Sequence, residues 1–507
     1  MLQNLTRLLL RSRPIPKPIR HADRTGTTRR DYPQGALASH IIGYRTRLTE
    51  ERIQERTRQL SRPDPLNYQA GDWMGQTGIE KFYESELRGL RGKKKVTTNL
   101  RGEILREEIV RESRPGRDLE LTLDSKLQHH AEELLERALQ GLPLTDEEKS
   151  ETPPLLPVGG ALAIMDIRTG ELLAAASAPH FDLRVLTDPA QGSWKEITSD
   201  PRHPLFPRLT RMQIPAGSVF KTVTAVGLLH QEGFNPDRAD YCQGFLKTPD
   251  RFRCLVFTHS GVGHFDVDLA KAMAQSCNVY FFKHAPKLGA SRLADWGRNF
   301  GFGERTGVDL PGEERGFLPA HQPGKTRQRG RDDIMGLCIG QGTLLVTPLQ
   351  VVRMMAAVAN GGTLVTPHLL RANGYDSLSE NSAPKSGKLR IRHLDPQLLA
   401  RVREGLEQVV SHPQGTGYKT VRLAEVKIAG KTGTAEVAGK PDHAWFAGYV
   451  PADRPRYAIV SVLEHGGSGG KAAGPLAREM IRAMLEEGLL RPQGGTPQTP
   501  VTADLQP

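Results

Sequence analysis

Pro215-Ala216-Gly217-Ser218-Val219-Phe220-Lys221 is the stretch on which the reading of this 507-residue chain turns. Proline and glycine break the preceding structure, and residues 221–230 then read as an apolar helix, so Ser218 falls at or near a helix start. A step from i to i+3 sets Ser218 and Lys221 on one helix face, with the amine in reach of the hydroxyl. Serine is a poor nucleophile until a base takes its proton. Lysine serves as that base only when neutral, which requires burial or a neighbouring positive charge. Seen alone, the pair has a bland reading: a serine N-cap followed by a solvated lysine.

Two further motifs follow in order. Ser276-Cys277-Asn278 begins 55 residues after Lys221, and Lys431-Thr432-Gly433-Thr434 comes about 155 residues later, after a strand-like run from Val426 to Ala429. A strand beside the nucleophile can offer a backbone N–H to a developing oxyanion. Gly433 would let a substrate backbone pass close. Lys431 would attract a substrate carboxylate and lower the proton affinity of Lys221. Alone, Ser276 and Asn278 are ordinary turn formers, and Lys431 is a strand-edge charge. Together, in this order, the three motifs match the signature of serine β-lactamases and penicillin-binding proteins. The middle motif of that signature usually reads Ser-Asp-Asn; Cys277 replaces its central residue, whose side chain points away from its two neighbours.

The chain resembles a class B penicillin-binding protein. Gly340-Gln341-Gly342 with Val346-Thr347-Pro348-Leu349-Gln350 adds to the likeness, as does Gly430 to Glu436 followed by Trp445-Phe446-Ala447-Gly448. Upstream, Arg30-Asp31-Tyr32-Pro33, Ile42-Gly43-Tyr44 and Gly75 to Glu80 are similar to the family's non-catalytic pedestal. The resemblance spans about residues 28 to 487 and implies a D,D-transpeptidase of peptidoglycan. In that family Ser218 would attack a peptidyl D-Ala-D-Ala stem and Lys221 would take its proton. Ser276 would relay a proton to the leaving D-alanine, and Asn278 would bind the substrate amide. Lys431, Thr432, Gly433 and Thr434 form the substrate-binding strand, with Lys431 and Thr434 holding the terminal carboxylate. The N–H groups of Ser218 and Thr434 would form an oxyanion hole, each donor worth about 3–4 kcal/mol. A neighbouring stem's amine would resolve the acyl-enzyme, and penicillin would trap it. The competing readings are a carboxypeptidase or β-lactamase-like hydrolase, for which no deacylating glutamate is evident, and a non-catalytic β-lactam sensor or scaffold.

Periodicity gives the architecture. Leu127, Ala131, Leu134, Leu135, Ala138 and Leu139 mark an amphipathic helix. Ala161–Asp166 and Glu171–Ser177 read as a hairpin around Ile167-Arg168-Thr169-Gly170. Helices are expected over 267–285, 346–359, 397–411 and 476–489, and strands over 427–428, 445–450 and 457–463. The sum is an α/β (α+β) domain of the transpeptidase/β-lactamase-like class, an antiparallel sheet flanked by helices, behind a small α+β pedestal. The expected divisions are a basic disordered arm at 1–27, a partial pedestal of dimerisation type at 28–116, a penicillin-binding transpeptidase domain at 117–490 and a disordered tail at 491–507.

With a net charge of +12, the chain suits an anionic partner. No nucleic-acid motif accompanies the scattered arginines, so the reading favours the cell envelope and excludes nucleic acid. The partners implied by the family are peptidoglycan stem peptides on lipid-linked nascent glycan, β-lactams, and a membrane glycan polymerase of the elongation complex. The expected place is the periplasmic face of the cytoplasmic membrane. Against that, no run approaches the ~18 apolar residues of a membrane span, and Leu8 to Leu10, flanked by arginines, is too short for a signal peptide. Three explanations stand open: a misplaced start, an anchor on another polypeptide, or a truncated paralogue.

Cys242, Cys254, His264 and Cys277 are separated by 11, 9 and 12 residues. Three thiolates and an imidazole make a known structural zinc set, and His259 could replace His264. The alternatives are a Cys242–Cys254 disulfide and a small buried Cys277. The chemistry itself requires no cofactor. The segment is similar to the elongation branch, penicillin-binding protein two, in which metal ligands occur here and end at the middle residue of the second motif. Such a metal would brace Ser276 and Asn278 from behind.

Overall fold

The computed structural model describes residues 7–10, 30–59, 66, 68–144, 155–319, 334–371 and 387–492. Along the catalytic part run helix α1 (Ser125–Leu139), strands β1 (Gly159–Asp166) and β2 (Leu172–Ala178), and helices α2 (Lys221–Leu229), α3 (Leu269–Ala274), α4 (Asn278–Leu288), α5 (Pro348–Ala359) and α6 (Pro396–Ser411). Strands β3 (Ala429–Val437), β4 (Lys440–Val450) and β5 (Tyr457–Glu464) and helix α7 (Gly474–Glu486) follow.

The strands form one five-stranded antiparallel sheet in the order β3-β4-β5-β1-β2. Side chains alternate across it. Leu162 and Ile164 enter a core with Leu127 and Leu135 of α1 and Leu476 and Met480 of α7. Ala161, Ala163 and Met165 face the opposite core, shared with α2 and α5. The central strands are therefore buried on both faces and read as continuous apolar runs. Each large aliphatic side chain buried this way contributes about 1.5–3 kcal/mol. Helix α1 begins where the Asp124 carboxylate accepts the backbone N–H groups of Lys126 and Leu127.

The upstream module contains the short helices Ser39–Ile42, Gly78–Phe82 and Glu84–Arg88 and an exposed hairpin of Lys93–Thr98 with Ile104–Arg111. Its apolar residues Tyr32, Ile41, Ile79 and Tyr83 belong to the same core as β1, α2 and α5. Tyr83 donates its hydroxyl to Asp309 at 2.8 Å, and the same buried carboxylate accepts Leu369 N–H and Leu370 N–H at 2.8 and 2.9 Å. The two parts are thus packed and hydrogen-bonded together.

Three sequence expectations shift. The helical run expected over 267–285 is two helices, because the backbone turns at Gln275-Ser276-Cys277. The strand expected at Lys427–Ile428 begins later, at Ala429, and carries the third motif within it. In the arm, Arg7–Leu10 pairs antiparallel with the strand Leu119–Asp124. The rest of the 1–27 arm and residues 493–507 lie outside the described residues.

Candidate active site

Helix α2 is buried on every side and is entered through a tight turn, Gly217–Phe220. Gly217 takes φ 53°, and a Cβ there would meet the Thr434 carbonyl oxygen at 2.7 Å. A bare Cα is what lets the Ser218 turn press against β3. Trp445 of β4 fixes the same turn by donating its indole N–H to Pro215 O at 3.0 Å. Gly433 serves this contact too. A Cβ on it would point at Val219, Ala216 and Trp445, so its small size admits the nucleophile turn.

The Lys221 amine is buried and donates to three acceptors of the second motif: Ser276 O at 2.8 Å, Ser276 Oγ at 3.3 Å and Asn278 Oδ1 at 2.6 Å. Burial pushes its pKa down to about 8, against the pull of nearby cysteine sulfurs. About a tenth of the amine is therefore neutral at pH 7, the form a general base requires. Ser276 holds φ 58°, a left-handed conformation that costs a non-glycine residue energy. Asn278 gives its amide N–H to Arg253 O at 2.9 Å, so both ends of its side chain are engaged within the protein.

Ser218, Ser276, Asn278, Thr432 and Thr434 line one cleft of about 470 Å3. Leu255, Val256 and Ile339 give it an apolar wall. Among the described residues, strand β3 is the edge of the sheet, with Lys431 to Thr434 paired to Ala447 through Ala444 of β4. Its free edge can pair with an extended peptide.

Lys431 behaves differently from the expectation. It is fully buried, its amine donates to Thr432 O at 3.1 Å, and it does not line the cleft. Burial, then the charge of Lys221, holds its pKa well below the ordinary value. For Lys221 the downward push is burial. Two residues without a sequence-assigned role also meet the third motif. Thr416 Oγ1 lies 2.6 Å from Thr432 Oγ1, and Gly469 N–H donates to Thr434 Oγ1 at 3.2 Å. The only sequence signal for Thr416 was a Gly-Thr-Gly turn.

Behind the second motif, the four sequence-singled ligands converge. The ligand atoms of Cys242, Cys254, His264 and Cys277 all lie within 4.8 Å of one another. Cys242 Sγ is 3.7 Å from Cys254 Sγ and 3.6 Å from His264 Nδ1, and Cys254 Sγ is 3.8 Å from Cys277 Sγ. A tetrahedral site with Zn–S bonds of about 2.3 Å has S···S edges of about 3.8 Å. The four residues thus fit a metal, and no disulfide joins their cysteines in this structure. Burial disfavours charge on His264, but hydrogen bonds to Cys242 and Cys254 outweigh it and raise its pKa to about 9. Cys277 also caps α4, its sulfur accepting Tyr280 N–H at 3.4 Å. His259 lines the cleft and is not in the cluster.

Residues 160–482 match the penicillin binding protein transpeptidase domain, and residues 22–121 match the penicillin-binding protein dimerisation domain. The chain belongs to the penicillin-binding protein transpeptidase family. Within the family its likeness falls on the PBP2 type. It is 30% identical to the peptidoglycan D,D-transpeptidase MrdA of Haemophilus influenzae, over 91% of this chain and 70% of that one. It superposes on the penicillin-binding protein PBP2 of Helicobacter pylori, solved in complex with MreC, with a TM-score of 0.73 at 30% identity, covering 91% of this chain and 79% of that one. A chain from a solved peptidoglycan synthase complex that coordinates polymerization and crosslinking matches with a TM-score of 0.71 at 30% identity, covering 90% and 75%.

The rate of Ser218 acylation by benzylpenicillin should rise with pH along a limb centred near 8, as Lys221 loses its proton. Asn278→Asp places an anion on that amine, favours the ammonium and should move the limb about one unit or more to higher pH. Stopped-flow acylation across pH checks both; a limb unmoved by the substitution would contradict the role given to Lys221.

Proposed function

We propose that this chain is a serine D,D-transpeptidase that cross-links peptidoglycan stem peptides through an acyl-enzyme at Ser218. The observation that carries the reading is the Lys221 amine, buried and gripped by Ser276 and Asn278, two residues that line one cleft with Ser218, Thr432 and Thr434. In the proposed reaction an extended stem pairs with the free edge of β3. Neutral Lys221 takes the Ser218 proton as Oγ attacks the penultimate D-alanine carbonyl. The N–H groups of Ser218 and Thr434 receive the oxyanion. The proton passes by way of Ser276 to the nitrogen of the leaving D-alanine. An amine of a second stem then attacks the ester and restores the Ser218 hydroxyl. Asn278 orients Lys221, and Thr432 and Thr434 meet the terminal carboxylate, with Lys431 buried behind them.

The reading extends to organisation and surroundings. It divides the chain into an arm at 1–27, a pedestal at 28–116, a catalytic domain at 117–490 and a tail at 491–507. It places the enzyme at the periplasmic face of the cytoplasmic membrane, where its substrate lies; no helix among the described residues is long and apolar enough to cross a membrane. The solved relatives, one with MreC and one in a synthase complex, support a comparable elongation partner, a membrane glycan polymerase. β-Lactams acylate Ser218 as donor mimics. The chemistry requires no cofactor. The Cys242, Cys254, His264 and Cys277 cluster holds structural zinc, which when bound stiffens the segment bearing Ser276 and Asn278.

Given a D-Ala-D-Ala donor and excess D-amino acid acceptor, the chain should form exchange product faster than hydrolysed donor, read by mass spectrometry. Predominant hydrolysis, with a penicillin adduct released within seconds, would instead establish the hydrolase. Purified chain should carry about one zinc, and Cys254→Ser should abolish it and lower the melting temperature. A zinc-free chain that chelators leave unchanged would contradict the metal.

A further inference from the structure

With Lys431 sealed beneath the sheet edge, the third motif presents hydroxyls but no accessible charge to the cleft. The cleft's exposed lysines lie elsewhere. Lys419 and Lys471 both line it and are both exposed, and among the described residues neither forms an ion pair. Both belong to segments that touch the motif. Lys419 lies in the turn that brings Thr416 Oγ1 to 2.6 Å from Thr432 Oγ1. Lys471 follows Gly469 and Gly470. Gly469 N–H reaches Thr434 Oγ1, and a Cβ on Gly470 would sit 2.8 Å from Thr416 O and 3.8 Å from Thr432 Cγ2. Two separate segments therefore touch Thr432 and Thr434, and each carries an exposed lysine with no ion pair among the described residues. The acidic lining residue, Glu436, lies two positions beyond Thr434 on β3.

We infer that Lys419 and Lys471 are specificity-determining residues that draw a substrate carboxylate onto the Thr432 and Thr434 hydroxyls. They supply the accessible positive charge that buried Lys431 does not. Cations at the rim of a cleft with low-dielectric walls raise the local concentration of an anionic ligand and act mainly on its capture, in a salt-dependent way. The ligand class is a peptide or β-lactam whose carboxylate lies one residue beyond the carbonyl attacked by Ser218. This inference rests on the acyl-transfer reading above.

The test uses the full chain and two D-alanyl thioesters, one with a free carboxylate on its leaving group and one capped as the methyl ester. Lys419→Gln/Lys471→Gln should lower kcat/KM for the acid about tenfold, leave the ester within about twofold and flatten the salt dependence for the acid. Lys419→Arg/Lys471→Arg should restore the preference for the acid. Equal losses for acid and ester, or no loss for either, would overturn the pair's role while leaving Ser218 chemistry intact. A wild-type chain acylated by neither thioester would overturn the acyl-transfer reading together with this one.

Discussion

The buried ammonium of Lys221 is the constraint around which the site is arranged. Its donors are taken by Ser276 O, Ser276 Oγ and Asn278 Oδ1, all from the turn after α3 and the first residue of α4. A buried amine without such partners would be costly, and one held too firmly as the cation could not accept a proton. Burial settles the balance, pushing the pKa down to about 8. The left-handed backbone at Ser276 follows from the same need, because it turns both the carbonyl and the hydroxyl of one residue toward one amine. Such strain persists only where the surroundings enforce it. Here Cys277 is pinned twice, as the cap of α4 and as a member of the Cys/His cluster, and Asn278 is tied to Arg253 O.

The sheet provides the second half of the site. Its edge strand carries the third motif, and glycine at positions 217 and 433 lets the nucleophile turn lie directly on that strand. The closeness of Ser218 to Thr434 is therefore a packing result, fixed by Trp445 and the core beneath it. The upstream module shares that core and is joined to the catalytic part at the buried Asp309 carboxylate. A displacement of the pedestal would have to be accommodated by the same packed interior.

Much of this was legible in the sequence, and for a definite reason. Motifs such as Ser218-x-x-Lys221 encode local geometry that a helix imposes, and the Ala161–Ser177 hairpin is written in its two apolar runs and its Thr-Gly turn. What remained hidden depends on distant pairings. The burial of Lys431 follows from strand register and from the nucleophile turn covering it, neither of which its neighbours announce. The break at Gln275-Ser276-Cys277 was masked because the flanking residues keep a helical apolar pattern. The zinc and disulfide readings of Cys242 and Cys254 could not be separated by spacing. The pairing of Phe265 with Cys242 brings His264 alongside, and the sulfurs lie 3.7 Å apart, a spacing that fits a shared metal.

The central claim is that Ser218 becomes an ester because Lys221 and the second motif make it a nucleophile. Intact mass after incubation with benzylpenicillin tests it most directly. The account predicts a long-lived increase of one penicilloyl group, mapped to Ser218 and absent from Ser218→Ala. An unmodified wild-type chain, or an adduct that survives in Ser218→Ala, would contradict it.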